Sequence, residues 1–123
     1  MKDVRAILED SNYGMKALGD SNPEAFGSLS GFIGAALSEG SISSKNKELI
    51  CIAISVYSRC EYCIVGHAYN ALKAGCTRQE ILEAATVATA FGGGPTMAYS
   101  SALLVAALDE FEKDFKEQKS PGN

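Results

Sequence analysis

Apolar positions recur along the chain at intervals of three and four, the period of an α-helix. Val4, Ile7, Leu8, Met15 and Leu18 fall mostly on one face of a first predicted helix. Ser21-Asn22-Pro23-Glu24 follows. Asn22 can cap a second helix, Pro23 suits its first position, and Glu24 favours the positive end of its dipole. Phe26, Leu29, Ile33, Ala36 and Leu37 mark the body of that helix, and Gly40 is expected to end it. Ser43 or Ser44 can cap a third helix. Its run Leu49 to Tyr57 is apolar nearly all round and rich in β-branched residues, so periodicity alone would also allow a buried strand. A buried helix is the better reading, because no Gly or Pro interrupts Lys45 to Arg59 and no other segment offers a partner strand.

A fourth helix is predicted from about Glu61 to Lys73, closed by Gly75. Thr77-Arg78-Gln79-Glu80 is a capping-box sequence. It opens a helix carrying Ile81, Leu82, Ala85, Ala88 and Phe91, which Gly92-Gly93-Gly94-Pro95 should stop, by a helix break or a tight helix–helix approach. A last helix begins near Thr96 with a packing seam at Leu104, Leu108, Phe111 and Phe115. The expectation is an all-α bundle of about six helices, one domain over 1–123, with its chemistry in 45–75 and a frayed tail at 117–123.

Composition narrows the function. The 123 residues are 46% hydrophobic and 21% charged, with a net charge of −4. Those values suit a globular domain with a modest core. Lys and Arg are scattered, with no basic stripe, so nucleic acid is not an expected partner. The opening MKDVRAILEDSNYG has no apolar core of a secretory signal. No apolar stretch approaches the ~20 residues that cross a bilayer, so no membrane association and a cytoplasmic setting are expected. In such a setting Cys51, Cys60, Cys63 and Cys76 are not a structural disulfide framework, and a close pair among them points to redox chemistry or metal.

The close pair is Cys60–Cys63, in Arg59-Cys60-Glu61-Tyr62-Cys63-Ile64-Val65-Gly66-His67. With Cys60 at a helix start, spacings of three and four place Cys60, Cys63 and His67 on one face. The helix N-terminus and Arg59 favour a thiolate, Glu61 opposes it, and the net expectation is a lowered cysteine pKa. His67, the only histidine, can take the thiol proton. Glu48 precedes Cys60 by 12 residues. If the chain reverses near Ser58-Arg59-Cys60, Glu48 lies about 15 Å back along one helix and His67 about 10 Å along the next, at ~1.5 Å per residue. They would then be roughly level, and a carboxylate beside an imidazole orients it as a base. Two structural alternatives stay open here: Glu48 in a solvated first turn, and the two cysteines as small buried hydrophobes. Zinc on Cys60, Cys63 and His67, with Glu48 or Cys76 as fourth ligand, is a further alternative, weakened by the lack of a second ligand pair. Cys51 is expected in the core, and Cys76 as a spare thiol at a turn. Tyr62, Tyr69 and Tyr99 could line a pocket, although aromatics at helical spacing are usually packing.

At Glu48, Cys60-Glu-Tyr-Cys63-Ile-Val-Gly-His67, and the flanks Lys47-Glu48-Leu49, Gly66-His67-Ala68 and Ala74-Gly75, the chain resembles the alkylhydroperoxidase D-like branch of the carboxymuconolactone decarboxylase superfamily. The resemblance covers roughly residues 20 to 110. It implies an all-helical fold and homo-oligomers, trimers or hexamers. It implies a peroxidase in which Cys63 attacks the peroxide, Cys60 resolves the sulfenic acid and acts as proton donor, and Glu48 and His67 form the relay. It also implies a small hydroperoxide substrate, a dithiol reductant or lipoyl-carrying adaptor, and no bound cofactor or resident metal. That peroxidase branch has a histidine just before the second cysteine, where Tyr62 stands here, so a shortened relay is expected. The decarboxylase branch lacks the cysteine pair, which disfavours lactone decarboxylation.

Overall fold

In the computed structural model, which describes residues 2–116, the chain is all-α, with no strand among those residues. Helix α1 (Val4–Ser21) and α2 (Pro23–Ala36) form a hairpin hinged on Asn22. Helices α3 (Ser44–Ser58), α4 (Glu61–Lys73) and α5 (Arg78–Tyr99) follow. A π turn (Ser100–Leu104) then runs into α6 (Val105–Phe111) and a 3-10 turn (Glu112–Phe115). Helix α4 is the hub, packed against α1, α3, α5, α6 and both irregular turns.

The local signals act largely as expected. Asp3, a cap not singled out from the sequence, closes the start of α1, accepting from the Ala6 N–H at 3.0 Å. Ser43 rather than Ser44 caps α3, accepting from the Asn46 N–H at 3.0 Å. Thr77 and Glu80 form the full capping box of α5. Gly75 (φ 95°) ends α4 in a left-handed turn, its N–H on the Leu72 carbonyl and the Cys76 N–H on that of Ala71. Two endings differ. Asn22 holds the cap position of α2 without a side-chain capping bond; its amide donates to Ser21 Oγ instead. Helix α2 stops at Ala36, four residues before Gly40. The Lys47 ammonium closes that end, donating to the Ala36 and Ser38 carbonyls at 2.9 and 2.7 Å.

The glycine run acts as a break with no connecting loop. Gly93 (φ 66°, ψ −146°) leaves helical geometry, and helix resumes at once on its far side. Gly92 permits a close approach. A Cβ there would overlap Thr96 Oγ1 and come within 2.9 Å of Thr96 Cβ and 3.2 Å of Tyr57 on α3.

The core is built from one face each of α3, α4, α5 and α6. The last-helix seam is buried as predicted, with Leu104, Leu108 and Phe111 sealed and Phe115 nearly so. Tyr69 meets the edges of Phe111 and Phe115 at centroid distances of 5.4 and 5.1 Å, so it is a packing aromatic that also borders a cleft. Arg5 ties α1 to this corner. Its guanidinium lies 5.3 Å over Phe111 and pairs with Glu110 and Asp114.

One expectation of burial is corrected, for α3, and two other apolar stripes lie open. Met15, Leu18, Leu29 and Ile33 are about half exposed, since only Val4 of α1 and no residue of α2 is buried. Helix α3 is not buried all round: Ile52 and Val56 are sealed, but Ile50, Ile54 and Tyr57 face outward. Phe91 is 83% exposed beside Ile54, Tyr57 and Val87. The period of an apolar stripe marks its direction but not what covers it. The predicted fraying of 117–123 lies outside the described residues.

Phe111→Ala should remove the centre of the α1–α4–α6 packing and cost about 3–5 kcal/mol, as for other buried aromatics. Denaturant unfolding checks this; a loss below about 1 kcal/mol would contradict the assigned core.

Candidate active site

The site begins at a tight reversal between α3 and α4. Arg59 adopts the left-handed conformation (φ 56°, ψ 39°), uncommon for a residue with a side chain. It lets the Arg59 N–H reach the Val56 carbonyl and the Cys60 N–H reach that of Ser55. This is the double bond of a Schellman ending, with arginine where glycine is usual. Cys60 is at once the last residue of the turn and the N-cap of α4, its sulfur accepting from the Cys63 N–H at 3.3 Å.

Cys60 and Cys63 are joined as a disulfide, with their Cα atoms 5.2 Å apart. They are therefore neither separated nor sealed in the core: Cys60 is half-buried and Cys63 exposed. Glu61, the charge opposing a thiolate here, is paired with Lys2 at 2.6 Å.

The predicted partnership of Glu48 and His67 is present. The Glu48 carboxylate accepts from His67 Nδ1 at 2.9 Å, with side-chain exposures of 12% and 26%. Glu48 is thus not in a solvated turn. Its bond directs the ring proton to Nδ1 and leaves Nε2 as the basic nitrogen. A cleft of about 640 Å³ between α1, α2 and α4 reaches Cys63 and His67, and Met15, Ile33, Tyr62 and Asn70 also line it. A larger cleft of about 910 Å³ lies beside the π turn, against Tyr99 and Glu61, and includes neither sulfur. The chemistry sides with the smaller one.

Cys51 was expected as a core residue, yet its free thiol lies beside the acid–base pair. The Glu48 carboxylate, the Cys51 sulfur and a His67 ring nitrogen all fall within 4.8 Å of one another. Three-residue spacing from Glu48 on α3 was the available signal. Burial, and secondarily the Glu48 charge, raises the Cys51 thiol above the ordinary cysteine range. Cys76 is buried and structural rather than spare: its thiol donates to the Lys45 carbonyl at 3.4 Å. Burial, then the charge of Glu80, raises it likewise. No helix among the described residues is long and apolar enough to cross a membrane.

The carboxymuconolactone decarboxylase family profile matches residues 23–107. An uncharacterised protein of Cupriavidus necator is 33% identical over 102 residues, covering 83% of this chain and 90% of its own. An uncharacterised protein of the cox locus of Paracoccus denitrificans is 34% identical over 94 residues, covering 76% and 81%. The crystal structure of a carboxymuconolactone decarboxylase family protein from Legionella pneumophila superposes with a TM-score of 0.85 at 32% identity, over 90% of this chain and 98% of that one. A Thermotoga maritima family protein, with a suggested involvement in an antioxidative response, shares the fold at a TM-score of 0.79 and 21% identity, over 92% and 96%.

Raised thiols are protonated at neutral pH and react slowly. In the oxidised native protein, Cys51 and Cys76 should alkylate at pH 7 about tenfold or more slowly than after unfolding. Mass spectrometry of timed alkylation checks this, and equal rates would contradict it.

Proposed function

The chain belongs to the carboxymuconolactone decarboxylase family, and we propose that within it this protein is a thiol-dependent peroxidase that reduces a small hydroperoxide. The observation that carries the reading is a cysteine pair able to close a disulfide at an accessible helix mouth, with His67, held by Glu48 behind it, one turn on in the cleft that Cys63 lines. The alternative of zinc on Cys60, Cys63 and His67 has less support, since both sulfurs are committed to each other.

The reaction starts from the reduced pair. His67, oriented through Nδ1 by Glu48, takes the Cys63 proton, and the helix N-terminus and Arg59 favour the anion. The Cys63 thiolate attacks one peroxide oxygen and the O–O bond breaks. Sulfur is oxidised to a sulfenic acid, and the departing alkoxide takes a proton, supplied by Cys60 or the relay, to leave as alcohol. The Cys60 thiolate then attacks the sulfenic sulfur, water leaves, and the disulfide forms. A dithiol reductant, or a lipoyl group on an adaptor, restores both thiols by exchange, its own sulfurs becoming the disulfide. No bound cofactor enters this cycle. Tyr62 borders the cleft at the position before Cys63, so Glu48 and His67 carry the relay without a second imidazole.

We also infer that the protein self-associates. Met15, Leu18, Leu29, Phe32 and Ile33 on the α1–α2 hairpin, and Ile54, Tyr57, Val87 and Phe91 on the α3–α5 face, expose more apolar surface than an isolated chain favours. Sedimentation at micromolar concentration should give a closed oligomer, a trimer or hexamer; a monomer would overturn the inference.

Peroxide consumption with a dithiol reductant should vanish in Cys63→Ser. His67→Ala should slow it roughly 100-fold, the usual worth of a positioned base. A Cys63→Ser chain that keeps wild-type turnover would overturn the peroxidase reading.

A further inference from the structure

We propose that Glu48, Cys51 and His67 form a binding site for a zinc-class divalent cation, separate from the Cys60–Cys63 pair. The three side chains offer one oxygen, one sulfur and one nitrogen, all within 4.8 Å of one another. Two helices supply them. Glu48 and Cys51 stand three apart on one face of α3, and His67 comes from α4. The 2.9 Å Glu48–His67 bond already holds two donors together; where Nδ1 takes the ion, its proton passes to Nε2 and the ion replaces that hydrogen bond. Cys51 is a free thiol, half-buried, and His67 borders the cleft, which gives an ion a route inward.

The donor set chooses the ion. A thiolate and an imidazole favour zinc and its neighbours over magnesium or calcium, which prefer all-oxygen shells. Three protein ligands leave a fourth position for water. A carboxylate and a thiolate together balance a dication, and the thiol proton leaves on binding. The remaining sulfurs do not compete: Cys60 and Cys63 hold each other, and the Cys76 thiol is turned to the Lys45 carbonyl. This set differs from the zinc alternative of the sequence, since Cys51 replaces the close pair. If the peroxidase reading holds, an ion here would occupy both members of its relay and stop turnover. The binding itself does not depend on that reading.

The test uses the full chain with its disulfide intact, so no turnover is involved and failure of the site is distinguishable from failure of the peroxidase reading. Titration with Co²⁺ should give one ion per chain and a thiolate-to-cobalt charge-transfer absorption. One equivalent of Zn²⁺ should displace it, and excess Mg²⁺ should not. Cys51→Ser should abolish the absorption and weaken zinc binding ~tenfold or more, whereas Cys76→Ser should leave both unchanged. The single histidine makes its ring signals in nuclear magnetic resonance unambiguous, and they should shift to saturation at one zinc per chain. Zinc protection of Cys51 against alkylation in the unmutated protein reads the same contact if the serine variant does not fold. Absence of the absorption, its survival in Cys51→Ser, or histidine signals unmoved by zinc would each overturn the proposal.

Discussion

The reversal at Ser58-Arg59-Cys60 governs everything placed around it. Two backbone bonds close α3 there, and the next residue already caps α4. Because only two residues separate the helices, α4 must run back along α3, and the turn fixes their register. That register sets His67 opposite Glu48 and leaves Cys51, one turn further along α3, beside them. The left-handed Arg59 costs on the order of 1 kcal/mol, which neighbouring packing offsets. A looser connection would keep the same residues and lose their alignment.

Rigidity is unevenly distributed around this turn. Helix α4 is clasped by α1, α3, α5 and α6, and its inner residues Ile64, Val65 and Ala68 are wholly buried. Its N-terminus, carrying the sulfurs, emerges into a cleft whose other wall includes Met15 and Ile33 of the exposed hairpin. A fixed floor thus holds the reactive groups, while the opposite wall rests on α2, which has no buried residue of its own. Self-association would therefore bear on the cleft as well as on stability, since the surfaces it would cover adjoin the cleft wall.

The four cysteines show how placement separates one chemistry into several roles. Cys60 and Cys63 share a helix mouth, where the distance suits a disulfide. Cys76 is sealed behind the Gly75 turn and spends its proton on a carbonyl. Cys51 sits between these cases, half-buried beside a carboxylate and an imidazole. Environment assigns these roles; the residue type is common to all four.

Much was legible along the chain. Helical period, Ser43, the Thr77–Glu80 box, Gly75 and the Leu104 to Phe115 seam are local signals, because caps and turns act within a few residues of backbone. The close cysteine pair and His67 were readable for the same reason: three and four residues make one helical face. Glu48 was readable only as a possibility of register, and α3–α4 packing decided it against a solvated turn. Cys51 had only its three-residue spacing from Glu48 to point to the site, and the open faces of α1, α2 and α5 and the break at Gly93 without a loop came from tertiary structure. An apolar or thiol side chain carries no record of its neighbours; which surface meets it depends on helices distant in the chain.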